Sequence, residues 1–247
     1  MKAMILAAGS GTRLRPLTLK IPKVLLPVRG VPLLEYQLAW LKSHGISQVA
    51  INLYHLGEKI KALLDDGSHY GFEIFYSSEP KLLGTAGGVK RMEYFFNNTF
   101  IVAYGDVFTD FNLSDMVNLH HQKKAIATIA VSQVSNPREA GMVEIDKDGK
   151  ITNFVEKPHR DIPLGNLGNG GVYVLDKEIF SHIPADSYSD FACDVFPRLI
   201  KLNLPVYGHT LKPEDYLIDI GTTEKYQKAN ADIKPRKAGY GKPSCIS

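Results

Sequence analysis

Leu6-Ala7-Ala8-Gly9-Ser10-Gly11-Thr12-Arg13-Leu14-Arg15-Pro16-Leu17-Thr18, continuing to Pro22-Lys23-Val24-Leu25-Leu26-Pro27, is the segment from which the rest of the chain can be read. The apolar run Met4 to Ala8 has the composition of a buried strand. The small residues after it let backbone N–H groups approach a polyphosphate with no Cβ in the way. Arg13 offers a bidentate fork and Lys23 a compact positive charge. A dinucleotide fingerprint is excluded, because Leu14 stands where its third glycine is needed and Arg15-Pro16 would break the helix that such a loop opens. A Walker loop is excluded as well, since no Gly-Lys-Ser/Thr follows.

Outward from this loop, apolar spacing predicts helices over Pro32–His44, Gly57–Leu64 and Ala86–Phe95. Strands are predicted over Gln48–Leu53, Phe72–Ser77 and Phe100–Tyr104. Strands alternating with helices imply parallel β-α-β units covered on both faces, with ligands beyond the carboxyl ends of the strands. The loops after Ala8 and Tyr104 sit at such ends. Past residue 125 the texture becomes strand-rich, at Ala125–Val134, Gly141–Ile145, Ile151–Glu156, Gly170–Leu175 and Val206–Leu211. The expected fold is α/β, a Rossmann-like three-layer arrangement with a mostly parallel mixed sheet and an inserted lobe. One domain is expected over 1–233, with halves at about 1–124 and 125–233, followed by a loose tail over 234–247.

The 247 residues are 44% hydrophobic and carry a net charge of +3, partly from Lys234, Arg236 and Lys237, so no strong field marks a nucleic-acid binder. Cys193 and Cys245 are far apart and show no zinc spacing, which fits a reducing cytosol. No stretch approaches the roughly 18 apolar residues of a membrane span. A cytoplasmic enzyme of small molecules is expected, with no nucleic-acid or membrane partner and a homo-oligomer left open.

Gly9-Ser-Gly-Thr-Arg-Leu14 followed by Pro22-Lys23 resembles the signature of the sugar-1-phosphate nucleotidyltransferases. Leu83-Gly-Thr-Ala86, Gly105-Asp106, Glu156-Lys-Pro158, Gly168-Asn-Gly-Gly-Val-Tyr173 and Asp219-Ile-Gly-Thr222 match that family in the same order. The resemblance implies a fold over roughly residues 1 to 230 that joins a nucleoside triphosphate to a sugar 1-phosphate and releases pyrophosphate. It implies that Leu6, Ala8, Gly9, Gly11, Thr12, Gly84 and Thr85 seat the nucleotide. Arg13 and Lys23 are the implied catalytic residues on the β- and γ-phosphates, and Asp106 and Asp219 the ligands of one Mg²⁺. Two carboxylates suit a hard cation that also takes phosphate oxygens and waters. Glu156 and Lys157 are implied to meet the sugar hydroxyls and phosphate, with Asn169 and the backbone of Gly141 beside them. Bland readings stand next to these: a strand-end ion pair for Glu156-Lys157, a turn or cap for Asp106, and turns at Gly141 and Asn169.

The base is addressed by Glu79, five residues before Gly84. Family members that use UTP or dTTP resemble one another in placing Gln there. A carboxylate only accepts hydrogen bonds, which suits guanine N1–H and N2–H₂ and repels a pyrimidine O4. GTP is therefore preferred, against the reading in which Glu79 faces solvent and pairs with Lys81. Tyr216-Leu-Ile-Asp-Ile-Gly221 and the compact length are similar to the heptose enzymes, so a manno-configured hexose or heptose 1-phosphate is expected. The alternatives are a uridylyl- or thymidylyltransferase acting on another sugar 1-phosphate, or a non-catalytic nucleotide-sugar sensor. The histidines, Trp40 and Cys193 are read as packing or surface residues.

Overall fold

The computed structural model describes residues 1–158 and 165–233. The tail expected over 234–247 lies outside the described residues. The chain opens with β1 (Lys2–Leu6) and passes through three short 3₁₀ turns to the hairpin β2 (Pro27–Val28) and β3 (Val31–Pro32). There follow α1 (Leu33–Ser43), β4 (Gln48–Leu53), α2 (Gly57–Leu64), β5 (Glu73–Ser78), α3 (Gly84–Arg91), β6 (Phe100–Tyr104), β7 (Val107–Thr109) and α4 (Leu113–Gln122). The second half holds β8 (Ala127–Gln133), β9 (Gly141–Ile145), β10 (Ile151–Glu156), β11 (Leu167–Leu175), α5 (Phe196–Lys201), β12 (Val206–Thr210), β13 (Leu217–Asp219) and α6 (Thr223–Asp232).

One mixed sheet runs in the order β10-β9-β11-β6-β1-β4-β5, and β8 bridges β11 and β12. Strands β6, β1, β4 and β5 are parallel neighbours, whereas β11 is antiparallel to β6, β8 and β9. The α/β fold with a mostly parallel, Rossmann-like centre is the one read from the sequence. Its cause is visible in β1, where successive side chains point to opposite faces. Ala3 and Ile5 pack with Leu34 and Leu38 of α1 and Ile60 of α2, while Met4 packs toward Val89 of α3 and Phe196 of α5. Both faces are covered, so the strand reads as an unbroken apolar run.

Several boundaries differ from expectation, two of them beside the glycine-rich segment and Gly84-Thr85, and the strand expected from Gly170 begins at Leu167. The first strand ends at Leu6 rather than Ala8: Leu6 O accepts the Gly105 N–H, and the Ala7 N–H turns to the Asn52 side chain. The helix expected over 86–95 starts at Gly84 and stops at Arg91, and Glu93–Phe95 is a separate 3₁₀ turn. The sequence reading had no counterpart for α4, α6 or the pair β7–β13.

A third apolar cluster lies beyond the carboxyl end of the sheet. It joins Leu14 and Leu26 of the glycine-rich segment, Val28, Leu33, Phe108 of β7, Ile218 of β13, Ile220, and Ala229 and Ile233 at α6. Two three-residue strands are marginal by themselves. Burying several aliphatic side chains, at about 1.5–3 kcal/mol each, is what fixes β13 against β7.

Candidate active site

The loop after β1 owes its path to Gly11, whose φ of +61° lies in the left-handed region. A Cβ there would lie 2.8 Å from Thr18 Cγ2, and the Thr18 hydroxyl donates to Gly11 O at 2.7 Å. Leu14 is buried in the third cluster, which anchors the turn and leaves Arg13 on the open side. The following turn places Lys23 in an ion pair with Asp106. The turn carrying Asp106 is held from below by Gln37 of α1, which donates from Nε2 to both Tyr104 O and Val107 O at 2.7 Å. Gly105 is required there, because a Cβ would sit 2.6 Å from Leu6 O.

Asp219 arrives from the far end of the chain through the β7–β13 pairing, which sets it opposite Val107, while the Ile220 N–H bonds Asp106 O at 2.9 Å. The Asp219 carboxylate accepts from the Gly221 N–H at 3.0 Å and from Lys225 Nζ at 2.6 Å. Burial pushes this carboxyl up. The Lys225 hydrogen bond and charge, the Gly221 N–H and the Lys23 charge together outweigh it and hold the group below the ordinary carboxylate range. Gly221 marks where these groups meet. A Cβ on it would lie 2.5 Å from Asp219 Oδ1, 3.0 Å from Arg13 Nη2 and 3.4 Å from Lys23 Nζ.

Beside this charge cluster opens a cavity of about 350 Å³. Leu6, Ala8, Gly9, Gly11, Thr12, Arg13, Lys23, Glu79, Gly84, Thr85 and Asp106 all line it. Gly84 opens α3 with φ +77°, and its missing side chain admits Ser189 O, which a Cβ would approach to 2.4 Å. That carbonyl takes the Ala86 and Gly87 N–H groups, and the Thr85 hydroxyl donates to Asp190 at 2.9 Å. Glu79 is only 6% exposed and accepts from Asn52 Nδ2 at 2.8 Å and from Leu83 N–H at 3.0 Å. The solvent-facing alternative with a Lys81 partner is thereby overturned.

The four sugar-side residues do not line this cavity. Gly141 of β9 faces Glu156 of β10, and a Cβ on Gly141 would meet Glu156 Oε2 at 2.6 Å. Asn169 donates to Tyr173 Oη at 2.8 Å, and Tyr173 packs edge-on against Tyr104, which does line the cavity. Lys157 has a half-exposed side chain and pairs with its neighbour Glu156 at 3.0 Å, the strand-end arrangement that carries little energy by itself.

Sequence reading missed Asn52, Tyr104, Leu82, Tyr188 and Asp190 in the cavity wall, and Lys225 on Asp219. Asn52 had a legible signal, a polar residue near the carboxyl end of an apolar strand; Lys225 had none. Trp40 is core, with its indole N–H on Phe111 O at 2.9 Å, and His120 is a buried packing residue. Cys193 lies on the exposed side of a π-helical turn, Phe191–Val195, whose Phe191, Ala192 and Val195 are buried. No group of three or more His, Cys, Asp or Glu converges among the described residues. Asp106 and Asp219 form an all-oxygen pair, each already neutralised by a lysine. Such a pair fits a hard divalent cation that fills its remaining positions with water and ligand oxygens. No helix among the described residues is long and apolar enough to cross a membrane.

The family described as nucleotidyl transferase matches residues 2–236. The chain is 39% identical over 253 residues to the UTP–glucose-1-phosphate uridylyltransferase of Synechocystis sp., covering 96% of this chain and 64% of that protein. It therefore spans just under two thirds of that relative's length. It is 33% identical over 229 residues to the D-glycero-alpha-D-manno-heptose 1-phosphate guanylyltransferase of Campylobacter jejuni, covering 92% of this chain and 97% of that protein. A crystal structure of a putative glucose-1-phosphate thymidylyltransferase from Bacillus anthracis superposes with TM-score 0.84 at 26% identity, over 96% of this chain and 98% of that one. HddC from Yersinia pseudotuberculosis, complexed with GMP-PN, superposes with TM-score 0.79 at 26% identity, over 94% and 99%.

Proposed function

From the premise that the chain belongs to the nucleotidyl transferase family, we propose that it transfers a guanylyl group from GTP to a manno-configured hexose or heptose 1-phosphate, releasing pyrophosphate with Mg²⁺. The observation that carries this reading is the meeting of Arg13, Lys23 and Asp219 around Gly221, with Asp106 on Lys23, beside a 350 Å³ cavity that Arg13, Lys23, Asp106 and Gly221 line.

The reaction needs no protein nucleophile. A sugar-phosphate oxygen, anionic at neutral pH, attacks the α-phosphorus in line with the departing pyrophosphate, so the protein must orient two mutually repelling polyanions and neutralise the charge that develops. Arg13 and Lys23 face the β- and γ-phosphates and stabilise the leaving group, while the loop from Gly9 to Thr12 presents backbone to them. Asp106 and Asp219 would hold Mg²⁺, which when bound would supply neutralisation of the developing charge. Glu156 and Asn169 orient the sugar, Gly141 leaves room for it, and Lys157 pairs with its phosphate.

Glu79 supports guanine. It is a buried acceptor in the cavity wall, and an acceptor-only group matches guanine N1–H and N2–H₂. The heptose enzyme of Campylobacter jejuni, of which the chain covers 97%, supports the manno-configured substrate. A second reading, uridylyl transfer to glucose 1-phosphate, is favoured by the 39% identity to the Synechocystis enzyme. The deciding experiment is a matrix of four nucleoside triphosphates against several sugar 1-phosphates, read by pyrophosphate release. Turnover with GTP and a manno-configured sugar phosphate is expected. Turnover with UTP and glucose 1-phosphate alone would transfer the assignment to the second reading. Silence throughout, with nucleotide-sugar binding retained in both the parent and Asp106→Asn, would identify a non-catalytic sensor.

A further inference from the structure

Glu79 is held in the cavity wall by a side chain that is as buried as itself. Asn52, near the end of β4, is 2% exposed; its Oδ1 accepts the Ala7 N–H at 2.7 Å, and its Nδ2 donates to Glu79 Oε1 at 2.8 Å. The other carboxylate oxygen takes the Leu83 N–H at 3.0 Å. Gly88 leaves the space for this pair, since a Cβ there would lie 2.8 Å from both Asn52 Nδ2 and Glu79 Oε1.

The polarity of this chain of bonds is fixed at both ends by backbone. Ala7 N–H can only donate, so the Asn52 oxygen must face it and the amide nitrogen must face residue 79. Leu83 N–H can only donate too. Position 79 is therefore met by a donor on each side and accepts on both. Building on the guanine reading above, we infer that Asn52 is the positioning residue that forces position 79 to be an acceptor-only group, so that residues 52 and 79 select the base as a coupled pair.

Glu79→Gln alone cannot recreate a donor–acceptor edge suited to a pyrimidine. Whichever way the new amide turns, its nitrogen opposes either Asn52 Nδ2 or Leu83 N–H, leaving a buried donor unsatisfied. Asn52→Asp alone sets two carboxylates face to face. The double variant satisfies every group. The carboxylate introduced at position 52 accepts from Ala7 N–H and from the amide nitrogen introduced at position 79, whose amide oxygen accepts from Leu83 N–H. Position 79 then offers the base one donor and one acceptor, the match for uracil N3–H and O4.

The test compares the parent, N52D, E79Q and N52D/E79Q. Thermal unfolding without nucleotide reads the coupling, and kcat/KM for GTP and for UTP with the sugar phosphate reads the selection. Each single substitution should lower Tm by roughly 4–8 °C, and the double variant should return to within about 2 °C of the parent. E79Q should lose on the order of 10²-fold in GTP turnover with no gain for UTP, whereas the double variant should move the GTP-to-UTP ratio toward UTP by about 10²-fold. An E79Q protein as stable as the parent, a double variant no more stable or no better folded than the singles, or one GTP-to-UTP ratio in all four proteins would overturn the inference. A parent that uses UTP and not GTP would defeat the guanine reading separately. The unfolding data need no nucleotide and would still decide whether residues 52 and 79 are coupled.

Discussion

Substituting Gly221 by alanine perturbs the charge cluster without removing a charge from it. Gly221 is not among the residues with positive φ, so its backbone accepts a side chain, and the cost falls on what the new Cβ meets. Asp219 Oδ1 would have to retreat from 2.5 Å to the 3.4 Å at which ordinary contact begins, a shift of roughly 0.9 Å, and a misplacement of about 1 Å costs on the order of 10²-fold in rate. Arg13 Nη2, 3.0 Å from the same point, is crowded in the same direction. The expected result is a fall of about 10²-fold in kcat/KM for pyrophosphate release, equivalent to about 2.7 kcal/mol of lost transition-state stabilisation. Tm should change by no more than about 3 °C, because no core contact is lost and the one hydrogen bond strained, from Gly221 N–H to Asp219 Oδ1, is worth about 1 kcal/mol. A variant that turns over within about threefold of the parent would show that the position of Asp219 relative to Arg13 and Lys23 is not what limits the barrier.

Two further outcomes follow from buried and half-buried charge. His120 is 2% exposed; burial, helped by the charge of His121 and opposed by Asp176, lowers its pKa to about 4. The unfolded chain takes up that proton near pH 6.5, so stability is complete above pH 6.5 and falls by about 3 kcal/mol as pH drops to 4. Denaturant unfolding of His120→Gln should lack that component between pH 6.5 and 4, and an unchanged pH slope would contradict it. Lys157→Met should raise KM for the sugar 1-phosphate about tenfold, leave KM for GTP unchanged, and move Tm by less than about 2 °C, since its ion pair is with its sequence neighbour at a strand end. An unchanged sugar-phosphate KM would return Glu156-Lys157 to the role of a plain strand-end ion pair.

Much of the site was legible because it is local. The glycine-rich segment from Leu6 to Arg13 follows a strand within a few residues, so composition and spacing placed it at the sheet's carboxyl edge; Gly84-Thr85 was read only through the family resemblance, because the helix it opens was expected to begin at Ala86. Glu79 was legible as an acceptor, but its burial was not. Whether a carboxylate beside Pro80 faces solvent or is enclosed depends on Asn52 and Leu83, and Asn52 lies 27 residues away. The boundaries that slipped did so where tertiary hydrogen bonds captured the backbone, as Asn52 does at Ala7.

The sequence by itself determined the alternation of strand and helix, the two-faced burial of β1, and the side chains available to meet phosphate, because periodicity and residue chemistry are properties of neighbours along the chain. Only the tertiary structure decided that Asp219 comes up beside the Lys23–Asp106 ion pair. Their convergence depends on the three-residue strands β7 and β13, which are too short to carry a pattern and are held by an apolar cluster drawn from both ends of the described chain. The same is true of Lys225 on Asp219 and of the sign of the Asn52–Glu79 bond. Long-range hydrogen bonding fixes which donor meets which acceptor, and local sequence carries no record of that choice.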